Sequence, residues 1–232
     1  HYPLRRQRQM CIRDSTNTWR YGENLPVGGF GSYEQLFQGY EDESGISVDP
    51  TEVRFWEIFG AFWWSVTCLE MAQGARQGID ASIERVAIGR RSTEGQIDCI
   101  NLLCPGLVSI SEVNHQQDNP EVSQVTELLK EVGVFLRRDV TQTTSGRTQF
   151  LSRVSANAVD IVLRDIMNVK AYRKIEQDSL RRFLSVENES LEQLRLRLVE
   201  SLRKEACQLD DEALQAHLRQ TTVNQIAIDN PN

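Results

Sequence analysis

The sequence predicts a mainly α protein that ends in a small antiparallel helical bundle. Apolar residues recur at three- and four-residue intervals through most of the chain. The stretches so patterned open on Ser or Asp capping signals or on Asn-Pro and Asp-Pro pairs, and Gly45 is placed to end the first of them. No run of alternating apolar and polar residues is long enough to compete as a strand. At 232 residues the chain has room for one or two small domains, each with its own core.

Residues 1–15 stand apart. The run Leu4-Arg5-Arg6-Gln7-Arg8-Gln9-Met10-Cys11-Ile12-Arg13-Asp14-Ser15 has neither helical nor strand periodicity. It also lacks the apolar stretch of roughly seven or more residues that a secretory signal requires. It resembles translated sequencing-adapter text and is read as a non-native leader. The first helix is expected from Ser32-Tyr33-Glu34-Gln35, a capping-box pattern that leads into Leu36, Phe37 and Tyr40, with Gly45 placed to end it. Asp49-Pro50-Thr51-Glu52 starts the next: Asp49 accepts from free backbone N–H groups, Pro50 suits the first turn and Glu52 suits the positive end of the dipole. Between Glu57 and Glu70 that helix is apolar nearly all round, yet far short of the roughly 20 residues that span a bilayer. It is expected to be a core helix covered on most sides. Asp80 opens a further periodic stretch through Ile83, Val86, Ala87, Arg90, Ile97 and Ile100.

Between Cys104 and Asn119 the periodicity stops, and residues 105–118 are read as a linker between a first region, 16–104, and a second, 119–232. Asn119-Pro120-Glu121 begins an amphipathic stripe of Val122, Val125, Leu128, Leu129, Val132, Phe135 and Leu136. A second stripe follows Ser145-Gly146 through Phe150, Leu151, Val154, Ala158, Ile161, Val162 and Ile166. A third runs through Leu191, Leu194, Leu198 and Leu202, and a fourth, capped by Asp210, includes Leu214, Leu218 and Ile226. Four stripes separated by short polar breaks suit an antiparallel bundle, and a polypeptide starting near Asp118 is expected to fold alone.

Composition narrows the function. The formal charge is −7, and the leader hides part of it, since Arg5, Arg6, Arg8 and Arg13 face only Asp14. Such an acidic surface repels phosphate backbones and anionic lipid, which argues against nucleic-acid and membrane partners. Cys11, Cys68, Cys99, Cys104 and Cys207 are odd in number, widely spaced and without a C-x-x-C pair, as expected of reduced thiols in a cytoplasmic protein. Pro26-Val27-Gly28-Gly29-Phe30-Gly31 is glycine-rich, but no strand precedes it and no Gly-Lys-Ser/Thr spacing follows, so a tight turn is favoured over a phosphate loop. His115 sits near Asp118 in the linker, where nothing fixes its geometry. His217 lies among Gln215, Arg219 and Gln220, and a surface or half-buried role is expected rather than metal or proton chemistry. Glu41-Asp42-Glu43 and Asp210-Asp211-Glu212 are adjacent rather than paired and read as solvated helix ends. Arg153 and Asn157 are four apart and are expected to meet in a polar network inside the bundle.

Resemblance adds an enzyme class. Trp19-Arg20-Tyr21-Gly22-Glu23-Asn24-Leu25-Pro26-Val27-Gly28-Gly29-Phe30-Gly31, Val53-Arg54-Phe55-Trp56-Glu57 and Ala87-Ile88-Gly89-Arg90-Arg91 appear in order. Together they resemble the C-terminal part of the aminoglycoside-phosphotransferase family of kinase-like enzymes, and more narrowly the branch joined to acyl-CoA dehydrogenase domains. The resemblance spans roughly residues 16 to 104 and implies a helical C-lobe remnant. In that family ATP lies between two lobes, and a His-Gly-Asp-x-x-x-x-Asn loop supplies the base and a metal ligand. A later Asp binds magnesium. No segment here matches those parts, which are expected upstream of Trp19; His115-Gln116-Gln117-Asp118 lacks the glycine and the spacing. The resemblance leaves Arg20, Tyr21 and Trp64 as candidates for lining a substrate pocket, with packing favoured for Trp64.

The second region resembles a small helical domain of unknown function found beside this kinase-like branch. The resemblance rests on Leu128-Leu129-Lys130-Glu131-Val132, on Val154-Ser155-Ala156-Asn157-Ala158 and on Ile226-Ala227-Ile228-Asp229-Asn230-Pro231. Leu151 stands where that family is expected to place a histidine. The chain is therefore expected to be a fragment of an ATP-dependent phosphotransferase acting on a small hydroxylated substrate, with an acyl-CoA-related one among the options. ATP and magnesium are implied for the intact parent, and the fragment is expected to be inactive. The alternative is a non-catalytic interaction or regulatory module that meets a protein partner through its C-terminal helices.

Overall fold

A computed structural model describes residues 25–106, 109–113 and 120–231, with side chains from 124 onward in the last segment. Among the described residues the architecture is helical, and a single isolated bridge, Val27 to Gly31, stands outside the helices. The elements are α1 (Tyr33–Ser44), α2 (Pro50–Arg76), α3 (Ile83–Arg90), α4 (Ser92–Leu103), α5 (Pro120–Phe135), α6 (Gly146–Leu184), α7 (Leu191–Arg203) and α8 (Glu212–Asp229). Between α5 and α6 the chain widens into a π-helical turn at Leu136–Val140 and closes with Thr141–Thr143.

The caps expected from sequence form at α1 and α2. Ser32 and Gln35 make a reciprocal capping box and Gly45 ends α1 in the left-handed region. Asp49 caps α2, with Pro50 in its first turn. Two starts differ. The stretch from Asp80 is two helices, because Ser82 is the cap of α3 and the chain turns at Arg91, while Asp80 instead pairs with Arg85 at 2.6 Å. The fourth bundle helix is capped by Asp211 rather than Asp210; its Oδ1 accepts from the N–H groups of Ala213 and Leu214.

Small residues decide how the first region packs. On α2, Gly60, Ala61, Ser65, Cys68, Ala72 and Ala75 are buried and let α3 and α4 approach closely. A Cβ at Gly89 would lie 2.4 Å from that of Ala72, and one at Gly95 would lie 2.4 Å from the Ala61 carbonyl oxygen and the Ser65 hydroxyl. Among the described residues this is the side of α2 that is closely covered. Phe55, Phe59, Phe62, Trp63, Val66 and Leu69 are exposed, which corrects the expectation of a helix enclosed on most sides. Hydrophobicity all round marks what a helix can bury, whereas close approach through small side chains selects which side it does bury.

In the second region Leu180, Leu194, Leu198 and Leu214 form a buried core among α6, α7 and α8, backed by Phe183, Leu191, Leu202 and Leu218. A separate cluster of Ile97, Val223 and Ile226 joins α4 to α8, so the two regions share core. The connecting segment is tied down as well: Ser111 N–H donates to Asn224, and the Gln220 amide donates to the Ser109 carbonyl. Against α6, α5 presents Gly133; of its apolar stripe Leu129 and Leu136 are half-buried, whereas Val125, Leu128, Val132 and Phe135 are exposed. Among the described residues no helix is long and apolar enough to cross a membrane.

Candidate functional site

The aromatic face of α2 is the most distinctive feature of the first region. Phe55 packs edge-on to Trp56 at 5.2 Å between ring centroids and stacks on Phe59 at 6.3 Å, and Trp56 meets Phe59 edge-on at 6.0 Å. These rings preorganise one another, and Phe62, Trp63, Val66 and Leu69 continue the exposed stripe toward the C-terminal end of the helix. A surface of this kind suits an apolar partner, not a small polar substrate.

Trp64, a substrate-pocket candidate, is half-buried, with the Arg91 guanidinium 5.7 Å from its ring centroid. Arg91 is itself clasped by Glu94 at 2.9 and 3.0 Å, which raises its pKa against the cost of burial. Trp64 thus serves packing and a cation–π contact at the α2–α4 junction. Arg20 and Tyr21, the other two candidates, lie outside the described residues, as does His115. Arg153 and Asn157 are exposed on α6, so neither is placed inside the bundle as the sequence reading expects.

Three buried polar groupings emerge that sequence does not assemble. In the first, the Tyr33 hydroxyl donates to Glu57 Oε1 at 2.7 Å; burial, then the Glu57 carboxylate, push the phenol's pKa far up, so it remains a donor. Nearby, burial and then Asp98 push the Cys99 thiol up to about 11, which leaves it unreactive. In the second, His217 is buried rather than at the surface, with Nδ1 3.0 Å from the Ser179 hydroxyl. Burial lowers its pKa and favours the neutral ring. The carboxylate whose charge acts on the ring, Glu176, is held bidentately by Arg195 at 2.6 and 2.6 Å. The pair therefore lacks the oriented acid of a catalytic triad and acts as a bond between α6 and α8.

The third grouping joins the two regions. Arg90, at the end of α3, donates from Nε to Asp229 Oδ1 at 2.5 Å and from Nη2 to Asp165 Oδ1 at 2.9 Å. Gln225 donates to the other Asp229 oxygen at 3.1 Å. Arg164 donates to the Ile228 carbonyl at 2.6 Å, and Asn230 donates to Glu94 at 3.3 Å. Burial raises the Asp229 pKa against the pull of Arg90, while on Arg90 the two aspartates outweigh the penalty of burial and raise its pKa. The signal for this site was present in the sequence as Arg90, a charge set on an otherwise apolar helical stripe.

Donors for the cofactors implied by the kinase-like resemblance do not fit here. Among the described residues no group of three or more His, Cys, Asp and Glu is placed to hold a metal. The glycine turn is closed on itself: Gly28 and Gly29 take φ of 61° and 78°, and a Cβ at Gly28 would strike the Phe30 ring. It forms a tight turn without a cradle for phosphate.

Comparison with known proteins supplies one match. Residues 142–232 are similar to a family described as a domain of unknown function, DUF6285. No curated protein and no solved structure matches the chain.

Proposed function

We propose that this chain supplies the helical, substrate-side part of an ATP-dependent phosphotransferase acting on a small hydroxylated substrate, an acyl-CoA-related alcohol among the options. The catalytic loop, nucleotide and magnesium belong to a further unit that packs on α2. The observation that carries this reading is the exposed aromatic face of α2, Phe55 through Leu69, on a helix whose other side is closely packed. The sequence blocks that resemble the phosphotransferase family support it independently. No step of phosphoryl transfer is assigned to the described residues, and the chain alone is expected to show no magnesium-dependent ATP turnover. The setting is cytoplasmic, without nucleic-acid or membrane partners, consistent with the acidic composition and the four free thiols among the described residues.

Two measurements test the proposal. Sequencing the DNA upstream of Trp19 should reveal a His-Gly-Asp loop followed by a metal-binding Asp; an open reading frame lacking both would overturn it. Kinase turnover by the chain as it stands would overturn the assignment of chemistry to another unit. A second reading, a non-catalytic interaction module, is favoured by the apolar stripe that α5 leaves uncovered.

A further inference from the structure

Helix α5 carries Val125, Leu128, Val132 and Phe135 on the wrong side for its own bundle, while Leu129 and Leu136 are half-buried. It meets α6 antiparallel: Gly133 lies opposite Val159, and Arg137 reaches the Ala156 carbonyl and the Asp160 carboxylate. Val125, Leu128, Val132 and Phe135, which sequence reading assigns to the core, are exposed, Leu128 at 71% and Phe135 at 55%. Their spacing of three, four and three residues is the seam of a coiled coil, which another helix fills by inserting side chains between them. At 100° per residue, Val162 and Ile166 fall on the flank of α6 beside this stripe, away from Arg164 and Asp165, which α8 and α3 engage. Both are exposed. The α5–α6 pair therefore presents an apolar face to which both helices contribute, as one half of a four-helix bundle does.

We propose that a second copy of this chain covers that face, giving a two-fold dimer with α5 antiparallel to its counterpart. A two-fold through the middle of the stripe sets Val125 of one copy against Phe135 of the other, and Leu128 against Val132, so the four seam positions meet one another, while Val134, also exposed, lies off the seam. With whole side chains of ~150–200 Å² each, the six residues expose roughly 500 Å² per copy. Two copies together bury about 1,000 Å² of apolar surface before any polar rim is counted, which reaches the threshold for a specific interface. A closed two-fold pairing uses the same patch on both copies and leaves no unpaired remainder from which a filament would grow. The proposal is independent of the phosphotransferase reading, because it uses neither α2 nor the first region.

The test is sedimentation velocity of the full chain across a concentration series. The expected species is a dimer at low micromolar concentration. Leu128→Glu with Val132→Glu should weaken it by about 100-fold or more, two buried seam positions each worth tenfold or better. Both sites are exposed within one copy, so the variant monomer should keep its far-UV helicity and melt where wild type melts once diluted to monomer. Phe62→Glu, on α2, should leave the dimer intact. As a second measurement, Leu128→Cys with Val132→Cys, oxidised by diamide, should yield a reducible cross-linked dimer above the level of the parent chain. A wild-type monomer throughout the series would overturn the second copy and leave the seam to a helix of another protein. A dimer that survives the α5 substitutions but is lost in Phe62→Glu would overturn it in favour of the α2 face.

Discussion

Removing the Arg90 guanidinium tests the junction most directly. In Arg90→Ala, Asp229, whose side chain is only 3% exposed, loses its paired cation and keeps side-chain hydrogen bonds from Gln225 and Thr93, with the Arg164 charge still nearby. Breaking a buried pair by deleting one partner costs about 3–5 kcal/mol, chiefly the desolvation left on the other charge. Arg90 and Asp165 are each 36% exposed, so the Arg90–Asp165 half adds at most about 1 kcal/mol, and solvent screening places the whole near 3 kcal/mol. For a chain of this size that is a fall in melting temperature of about 6–12 °C. The pH dependence carries a second signature. Burial already raises the Asp229 pKa in the folded state, and removing Arg90 raises it further. A folded-state carboxyl with a raised pKa takes up protons more readily than its unfolded counterpart, so the deficit is full at neutral pH and shrinks as pH falls through the raised value. Urea unfolding of wild type and Arg90→Ala at pH 7 and pH 5, followed by far-UV circular dichroism, measures both. A loss below about 1 kcal/mol at pH 7, or a deficit that grows on acidification, would refute the assignment of the Asp229 charge to Arg90.

Gly95→Ala places a Cβ 2.4 Å from the Ala61 carbonyl oxygen, a backbone atom held within α2, and should destabilise by about 2 kcal/mol by overpacking. Gly74→Ala, with nothing within 4 Å of its Cβ, should instead stabilise by about 0.5–1 kcal/mol; thermal melts of the two variants check the contrast. His217 has a folded-state pKa lowered by burial, so the unfolded chain binds its proton first and stability is lost as pH falls below the ordinary value near 6.5. In His217→Gln the stability difference between pH 7.5 and pH 5.5 should be smaller than in wild type, and equal slopes would count against a buried neutral ring.

Local chemistry was readable in the sequence and long-range assembly was not. Ser32 with Gln35, Gly45 and Asp49 with Pro50 act within one helical turn, so their spacing alone carries the information. The boundary after Gly146 and the leucine stripe through Leu194 and Leu198 were legible for the same reason. What failed was the choice of side. On α5 the apolar stripe is real, yet Gly133 sets the contact with α6 and only Leu129 and Leu136 of the described stripe are half-buried, because a small residue admits closer backbone approach than a leucine does. The Arg90 cluster draws on residues 75 and 139 positions away, and no periodicity in one segment encodes such partners. His217 sits among polar neighbours in sequence, yet it follows the buried Leu214 by three residues and so shares its face of α8, where the Ser179 hydroxyl of another helix meets it.

The shared core also changes what a polypeptide starting near Asp118 should do. Its bundle about Leu180, Leu194, Leu198 and Leu214 is built within α6, α7 and α8 and survives the truncation. The end of α8 does not fare as well. Val223 and Ile226 lose Ile97, Asp229 loses Arg90, and Asn224 loses the Ser111 N–H that it accepts from. Exposing two buried aliphatic side chains costs about 1.5–3 kcal/mol each at full exposure, more than a terminal helical turn retains on propensity alone. The truncated chain is therefore expected to fold with a frayed C-terminal end. Amide hydrogen exchange should show protection kept across residues 191–218 and lost across 223–229, whereas the full chain protects both. Equal protection of 223–229 in the two polypeptides would mean that α8 is held by its own bundle and that the contact with α4 contributes little. Loss of protection throughout would mean that the first region is required for the second to fold.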